Sequence, residues 1–368
     1  MQPYVPQNLP LENLNYLRLL PLVGNARACL GHYDGLLHSI INPSVMLSPL
    51  TNEEAVLSSK IEGTQATIDE VLKQEAGMVI EQREKNEDIQ EIVNYRKALR
   101  SGEQYLMEYP INLPLIRELH RILLSSVRGQ NKTPGEFRKD QNWIGRAGCS
   151  IEEATFVPPN PMQLSNYLDA WQRYIMGDDI DPLLQASVLH AQFELIHPFN
   201  DGNGRIGRIL IPLYLYQKKI LSQPMFYLSA YLESHREEYY QRLGNISLEG
   251  DWNGWIEFFL KAVTLQAQAN IRKVNEMIAL YDEMKKKISD ITHSQYAMQL
   301  LDAIFKRPIF KTSDLARETG IHKLTMTGLL RQLKEAQILS ELQRSSGRRA
   351  SVLCFPALVN IAEGKTIV

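Results

Sequence analysis

The sequence predicts a mainly α-helical protein that ends in a small separate module, and three observations carry that expectation. Apolar residues recur at helical spacing along most of the chain, while strand-like alternation is scarce. Near the middle, Asp181-Pro182 has the form of a helix start, Asp as N-cap and Pro at the first helical position, ahead of a long apolar segment. Charge then changes sign near Lys306-Arg307-Pro308. The stretch from Met298 to Val368 holds 11 of the 40 Lys/Arg and 6 of the 42 Asp/Glu, so a tail of net +5 follows a body of net −7.

In chain order, "PLTNEEAVLSSKIEGTQATIDEVLKQ" and "EDIQEIVNYRKALRSGEQYL" read as amphipathic helices separated by polar breaks, with Ser59-Lys60-Ile61-Glu62 as a capping box. In "NWIGRAGCSIEEATFVPPNP", Trp143-Ile144 and Thr155-Phe156-Val157 flank a loop with Gly145, Gly148 and Cys149, which predicts a β-hairpin ended by prolines. The helix after Asp181 carries Leu184, Val188, Ala191 and Leu195 on one face and Leu189, Phe193 and Ile196 on the next, so it should be central and buried. "RILIPLYLYQKKIL" predicts a second buried helix, bent at Pro212 or placed so that the lost hydrogen bond is tolerated. "GWIEFFLKAVTLQAQANIRKVNEMIALYDEMKKKI" is one long helix. The tail reads as a winged helix-turn-helix: Thr312-Ser313-Asp314 caps one helix, Gly320 ends it, His322 to Lys334 is the recognition helix and a two-stranded wing follows. Lys323, Arg331, Lys334, Arg344, Arg348 and Arg349 would meet DNA phosphates, and the same module can equally serve as a protein dock. The expected domains are residues 1–110, an N-terminal helical region; 111–290, a catalytic core with a helical linker; and 291–368, the winged helix.

Composition excludes several classes. With 368 residues, 44% hydrophobic, 22% charged and a net charge of −2, the chain is an ordinary globular protein. "MQPYVPQNLPLENL" lacks the basic start and apolar run of a signal peptide, and "ILIPLYLY" is far too short to span a bilayer, so a cytoplasmic protein without membrane contact is expected. Cys29, Cys149 and Cys354 are scattered, which supports neither a disulfide framework nor a zinc site.

The chemistry concentrates in "HPFNDGNGRIGR", His197 to Arg208. Gly202 to Gly207 is a literal G-x-G-x-x-G, but a buried helix rather than a strand precedes it, so a dinucleotide fold is excluded. No Lys-Ser/Thr follows for a Walker loop, and Pro212 stands where an EF-hand needs a bidentate acid. What remains is a glycine loop between two helices, whose successive amides of Gly202, Asn203 and Gly204 face one concavity at a positive helix N-terminus. That is an anion hole suited to phosphate. Asp201 beside it is a hard ligand for Mg²⁺, Arg205 and Arg208 lie one turn apart to neutralise a polyphosphate, and His197 can take a proton from an incoming hydroxyl. Together they describe nucleotide-dependent group transfer onto a hydroxyl.

The stretch also resembles the signature of the Fic family, His-Pro-Phe-x-Asp/Glu-Gly-Asn-Gly-Arg-x-x-Arg, at every specified position, and "FELIHPF", "EEYYQRL" and "GDWNGWIEFFL" extend the resemblance over roughly residues 50–290. The resemblance implies a Fic-type helical core with a hairpin flap that transfers AMP from ATP, with Mg²⁺, to a Ser, Thr or Tyr hydroxyl of a protein target, the chain itself included. It makes His197 the general base and Asp201 the Mg²⁺ ligand. Gly202, Asn203 and Gly204 would hold the α-phosphate, and Arg205 and Arg208 the outer phosphates. Gly204 is retained, which favours AMP transfer over phosphate transfer. The flap would pair with a target strand while Glu153, Ala154, Thr155, Phe156 and Val157 line the nucleotide side, and Tyr239 and Tyr240 would shape the adenine pocket. Ser58, Glu62 and Gly63 match the Ser/Thr-x-x-x-Glu-Gly/Asn pattern of self-inhibited members, so Glu62 would reach the nucleotide site and restrain it. Two readings stay open beside AMP transfer: removal of AMP from a modified protein in the same site, and a nucleotide-sensing DNA-binding regulator. A homodimer also stays open.

Overall fold

The computed structural model describes residues 2–40, 47–125, 132–146, 148–345 and 350–364. As the periodicity predicts, the protein is mainly helical, and among the described residues the strands lie in one small sheet. The helices are α1 (Tyr16–Ser39), α2 (Ser48–Ile61), α3 (Ile68–Glu75), α4 (Arg83–Tyr105), α5 (Leu113–Leu123), α6 (Leu164–Met176), α7 (Pro182–Ile196), α8 (Asn203–Gln217), α9 (Ser229–Ser234), α10 (Arg236–Glu249), α11 (Trp252–Thr292), α12 (Ala297–Lys306), α13 (Thr312–Thr319), α14 (Lys323–Glu335) and α15 (Pro356–Glu363). No described helix is long and apolar enough to cross a membrane. The chain divides into two compact units, one of Met1–Gly35, Leu57–Thr64 and Gln90–Gln268, the other of Leu36–Val56, Gln65–Ile89 and Ala269–Val368.

The first unit is built around α7. Thirteen of its residues are buried, from Leu183 to Ile196 with Glu194 as the exception, because neighbours cover it on every side. Two indole N–H groups donate to its carbonyls, Trp171 on α6 to Leu189 O and Trp255 on α11 to Ser187 O, each at 2.9 Å. The helix starts as its sequence demands: Asp181 accepts from the Leu183 N–H at 2.7 Å, Pro182 follows, and the Asp181 carboxylate also takes Arg27 Nε at 2.6 Å. Asp181→Ala is therefore expected to lower stability by about 1–2 kcal/mol, as read from the urea midpoint, since it removes both the cap and an ion pair. Helix α8 is buried over most of its length and runs through Pro212 without interruption.

Two local expectations are corrected. Ser59 and Glu62 do not open a helix; they lie at the end of α2, and the capping box forms eight residues later, where Thr67 accepts from Glu70 N–H and Glu70 accepts from Thr67 N–H. The Ser-x-x-Glu spacing alone cannot say which end of a helix it marks. The flap hairpin is also sparser than a ladder: its arms meet at one antiparallel bridge, Ile144 with Phe156. Thr155 N–H, Phe156 N–H and the Thr155 hydroxyl all converge on Ile144 O, and a turn of 3₁₀ helix, Ile151–Glu153, consumes the loop. Pro158 and Pro159, which lack N–H groups, close off any continuation.

The second unit carries β1 (Ile309–Lys311), β2 (Ser340–Gln343) and β3 (Val352–Cys354) in one antiparallel sheet of order β1-β3-β2, with Ile309 opposite Cys354 and a register shift between Glu341 and Gln343. Leu301, Phe305, Leu315, Leu330 and Leu333 of α12, α13 and α14 are buried in the same unit, and α13 packs against β1. Gly320 ends α13 in the left-handed conformation, φ 69°, as its place after the helix predicts. Of the cations expected to meet DNA, Lys334 is paired with Glu341 at 2.9 Å and Arg331 lies 3.7 Å from Glu335. Arg348 and Arg349 lie outside the described residues.

Candidate active site

The site forms where α7 ends and α8 begins. His197 caps α7 in the left-handed conformation, φ 48° and ψ 61°, and Gly202, at φ 78°, opens α8. Left-handed backbone costs a non-glycine residue roughly 1–2 kcal/mol, so the turn has to be held. His197 N–H donates to Phe193 O at 3.0 Å, and the buried Arg138 donates through Nε to His197 O at 2.9 Å and through its terminal nitrogen to Pro159 O at 2.5 Å. Asn203 closes the loop with both ends of its amide, accepting from Phe199 N–H at 2.9 Å and donating to Phe199 O at 2.8 Å. Its side chain is thus committed to the turn, which leaves its backbone N–H for an anion. The amides of Asn203, Gly204 and Arg205 begin α8 and have no partner within the helix, at the end where the dipole is positive.

The protonation of His197 follows from its partners. Nδ1 lies 3.2 Å from Glu194 O, and a carbonyl only accepts, so the ring proton sits on Nδ1 and Nε2 keeps its lone pair. Burial pushes the imidazole down to about 4, helped by the nearby Arg138 charge and opposed by the bond to Glu194 O. At neutral pH the ring is therefore an uncharged acceptor, as a general base must be. His120 on α5 braces the other side of the loop: Nδ1 accepts from Gly135 N–H at 2.9 Å, Nε2 faces Asp201 O at 2.9 Å, and the ring stacks on Phe199 with centroids 3.7 Å apart.

Both arginines of the motif are buried and have acidic partners. Arg205 bonds Glu91 on α4 at 2.8 Å and Asp201 at 3.1 Å. Arg208 donates through Nε to the Ser58 hydroxyl at 2.8 Å, and through one terminal nitrogen to Ser58 O at 3.0 Å and Glu62 Oε1 at 2.5 Å. Burial pushes the Glu62 carboxyl up, but Arg208, with Arg205 and His197 behind it, outweighs this and holds it below the usual carboxylate range. Glu62 stays 32% accessible, and Gly63 after it is left-handed, φ 104°. The carboxylate reaches so close to α8 that a Cβ at position 204 would lie 2.2 Å from Glu62 Oε1, so a side chain there would displace the tip of Glu62.

The Mg²⁺ expected at Asp201 meets a single carboxylate, 42% accessible, with one oxygen toward Arg205. Among the described residues no group of three or more His, Cys, Asp and Glu forms a cage of its own. The donor set fits Mg²⁺ that takes its remaining ligands from phosphate oxygens and water, the usual habit of that ion. On the flap, Ala154 and Val157 are buried, Phe156 is half-buried and Thr155 is exposed. Tyr239 is fully buried, its hydroxyl 2.9 Å from His190 Nε2, whereas Tyr240 is the accessible member of the pair and stacks under Arg236.

Four residues of the site escaped the sequence reading: Arg138, His120, Glu91 and Glu194. Glu194 had a signal, since it precedes His197 by three on a helix; the others are distant in sequence and carry none. The Glu194 carboxyl has a buried oxygen, Oε1, without a partner, and desolvation pushes it up to about 8 despite Arg208, with Glu62 acting in the same direction as burial. Stability should therefore depend on pH in two opposite ways. His120, His190 and His197 are pushed from 6.5 to about 4, 3 and 4, mainly by burial, so the stability they contribute is present above about pH 6.5 and is lost as pH falls toward 4. Glu194, raised from 4.5, contributes stability that is present below 4.5 and lost as pH rises through about 8. Denaturation midpoints should peak near neutrality, and Glu194→Gln should remove the decline between pH 6.5 and 8; an unchanged decline would assign it elsewhere.

Comparison with known proteins gives a consistent picture. Residues 20–104 match the family model described as Fic/DOC family N-terminal, and residues 110–215 match that described as Fic/DOC family. A probable protein adenylyltransferase of Aquifex aeolicus is 29% identical over 194 residues, 52% of this chain and 56% of that protein. The protein adenylyltransferase Fic of Aedes aegypti is 31% identical over 155 residues, 40% of this chain and 27% of that protein. The chain thus spans about half the length, or less, of these relatives. Among solved structures, a Fic family protein from Desulfovibrio desulfuricans superposes with a TM-score of 0.59 at 19% identity, covering 96% of this chain and 98% of the other. A Fic domain containing signaling protein from Bacteroides thetaiotaomicron gives 0.53 at 18% identity, covering 70% and 97%.

Proposed function

Because the chain belongs to the Fic/DOC family, we propose that it is a nucleotidyltransferase that moves AMP from ATP to a Ser, Thr or Tyr hydroxyl of a protein target, and that Glu62 restrains it. The observation that carries this reading is the uncharged His197, Nε2 open and Nδ1 tied to Glu194 O, beside the free amides at the start of α8. In the transfer, Nε2 takes the proton of the target hydroxyl while its oxygen attacks the α-phosphorus and the bond to pyrophosphate breaks. The amides of Asn203, Gly204 and Arg205 stabilise the charge that grows on the α-phosphate oxygens. Mg²⁺ held at Asp201 would neutralise phosphate charge. Arg205 orients Asp201, and Arg208 would hold the outer phosphates once Glu62 releases it. The Glu62–Arg208 pair supports restraint, since it engages the guanidinium that ATP needs.

Incubating the protein with α-labelled and γ-labelled ATP, with candidate targets and alone, tests the reading. Label from the α position should enter protein, on a target or on the chain itself. Label entering only from the γ position would replace AMP transfer by phosphate transfer.

For the C-terminal part, we propose a winged helix acting in the cytoplasm as a docking module for duplex DNA. The order of α13, α14 and the small sheet supports it, although the Lys334–Glu341 pair reduces the available charge. Affinity for DNA should fall steeply with salt, because it would rest on phosphate contacts. No binding at low salt would leave protein docking as the better reading.

A further inference from the structure

A helix ends with carbonyls that have no donor within the helix, and at the end of α7 four successive oxygens, from Ile196 to Phe199, are met by one short segment, residues 138–142. Arg138 donates through a terminal nitrogen to Ile196 O at 3.4 Å and through Nε to His197 O at 2.9 Å. Its backbone N–H donates to Pro198 O at 2.9 Å, and Asn142 Nδ2 donates to Phe199 O at 3.1 Å. Phe137, next to Arg138 in the chain, lies against Phe199 with ring centroids 5.1 Å apart. The other bonds of the guanidinium go to Pro159 O at 2.5 Å and Asp140 O at 3.3 Å. Every one of these acceptors is a neutral carbonyl. An arginine that is only 3% exposed usually has a carboxylate beside it; Arg138 has the negative end of the α7 dipole instead. Burial pushes its guanidinium down to about 10, so the charge persists at neutral pH.

We propose that Arg138 is a positioning residue for the base: its fork fixes the left-handed turn from which the His197 ring projects, and its charge opposes a second charge on that ring. The proposal deepens the transfer described above and rests on it for what the ring does. A non-glycine residue at φ 48° needs its backbone restrained, and the bond to His197 O grips the peptide that follows its Cα. The ring then reaches Glu194 O through Nδ1. The charges around it decide the rest. Burial does most to hold the imidazole down at about 4; the bond to Glu194 O works against it, Arg138 adds to it, and Glu62 and Asp201 pull the other way. The Glu194 carboxyl on the same helix is pushed up to about 8 by burial and carries little charge at neutral pH. Arg205 and Arg208 on α8 are paired with Glu91 and Glu62. Arg138 is thus the cation of this group whose bonds all go to carbonyls, and its field reaches the ring without an acid to offset it.

Two substitutions in the full chain separate the two parts. Arg138→Gln removes charge and fork, whereas Arg138→Lys keeps the charge and loses the fork, because a single ammonium cannot span carbonyls set for a guanidinium. The first readout is the His197 pKa, followed by NMR on histidine-labelled protein without nucleotide and assigned by its disappearance in His197→Asn. It should rise by about one unit in the Gln variant and stay within about 0.3 units in the Lys variant. The second is self-labelling with α-labelled ATP in a Glu62→Gly background. At saturating ATP it should slow about 10²-fold for Gln and about ten-fold for Lys, while the half-saturating ATP concentration changes less than about two-fold, since a misplaced ring leaves the phosphate contacts intact. A His197 pKa that does not move in a folded Gln variant, or a lost rate matched by an equal rise in half-saturation, would overturn the proposal. Should the Gln variant fail to fold, the Lys variant decides alone: a slower rate with the pKa retained supports positioning, and an unchanged rate or a raised pKa overturns it. Absence of α-label before Arg138 is altered would sink AMP transfer and leave the pKa comparison to stand by itself.

Discussion

His197→Ala is expected to lower AMP transfer by about 10²–10⁴-fold, the usual contribution of a positioned general base, while ATP binding stays close to that of the unsubstituted chain. The asymmetry follows from where the ring acts. Nδ1 is tied to Glu194 O, which leaves Nε2 to act on the incoming hydroxyl in the proposed transfer. In that proposal the phosphates are met by the α8 amides and the arginines, which do not involve the ring. Because position 197 has positive φ, the companion variant His197→Asn serves as a folding control: asparagine tolerates left-handed backbone and supplies no base. Labelling, calorimetric ATP binding and melting temperature are read on both. Unchanged labelling would remove His197 from the mechanism, and lost ATP binding with intact folding would make it a nucleotide contact instead.

Glu62→Gly should raise self-labelling with α-labelled ATP on the order of 10²-fold, because misplacement of a reacting group by about 1 Å can cost that much and the variant removes its cause. In the structure Glu62 holds Arg208 at 2.5 Å, and Ser58 holds the same side chain at Nε. Glycine frees Arg208 for the γ-phosphate without touching base, amides or Asp201. It also strips a buried guanidinium of its bond to the Glu62 carboxylate, so the melting temperature without nucleotide should fall. ATP should then restore more stability in the variant than in the unsubstituted chain, since phosphate replaces the missing carboxylate. A capping role would have predicted lower stability and no gain in activity. The place of Glu62 past the end of α2 already argues against capping, and lower stability without more labelling would reject restraint by this residue.

The parts of the molecule that were legible in the chain are those where short-range chemistry suffices. Asp181-Pro182 starts α7 because a carboxylate can reach an N–H two residues on and proline needs no donor there. The all-round apolar pattern put α7 and α8 in the core, and the unbroken helical spacing of residues 252–292 produced α11. The turn from His197 to Arg208 was legible as a helix end, a glycine loop and a helix start, and Gly202 supplies the left-handed backbone that opens α8. The same short-range logic misread Ser59 to Glu62, where spacing is symmetric to which helix end it serves, and it overstated the flap, where two short runs around a glycine loop predicted a hairpin and its arms meet at a single bridge.

Charge states and partners belong to the other kind of fact. Arg205 lies 114 residues from Glu91, and Arg208 lies 146 from Glu62. Nothing near either arginine names its acid, because an ion pair is chosen by what the packing of helices brings within about 4 Å. The neutrality of His197 and of the Glu194 carboxyl arises in the same way. Their intrinsic affinities for a proton are written in the residue types, but the loss of water around them comes from the packing around the α7–α8 turn, and desolvation depends on every neighbour at once. The chain's local chemistry thus specified which side chains share one turn. Their protonation and their ion pairs were settled by distance and dielectric, which exist only once the chain is folded.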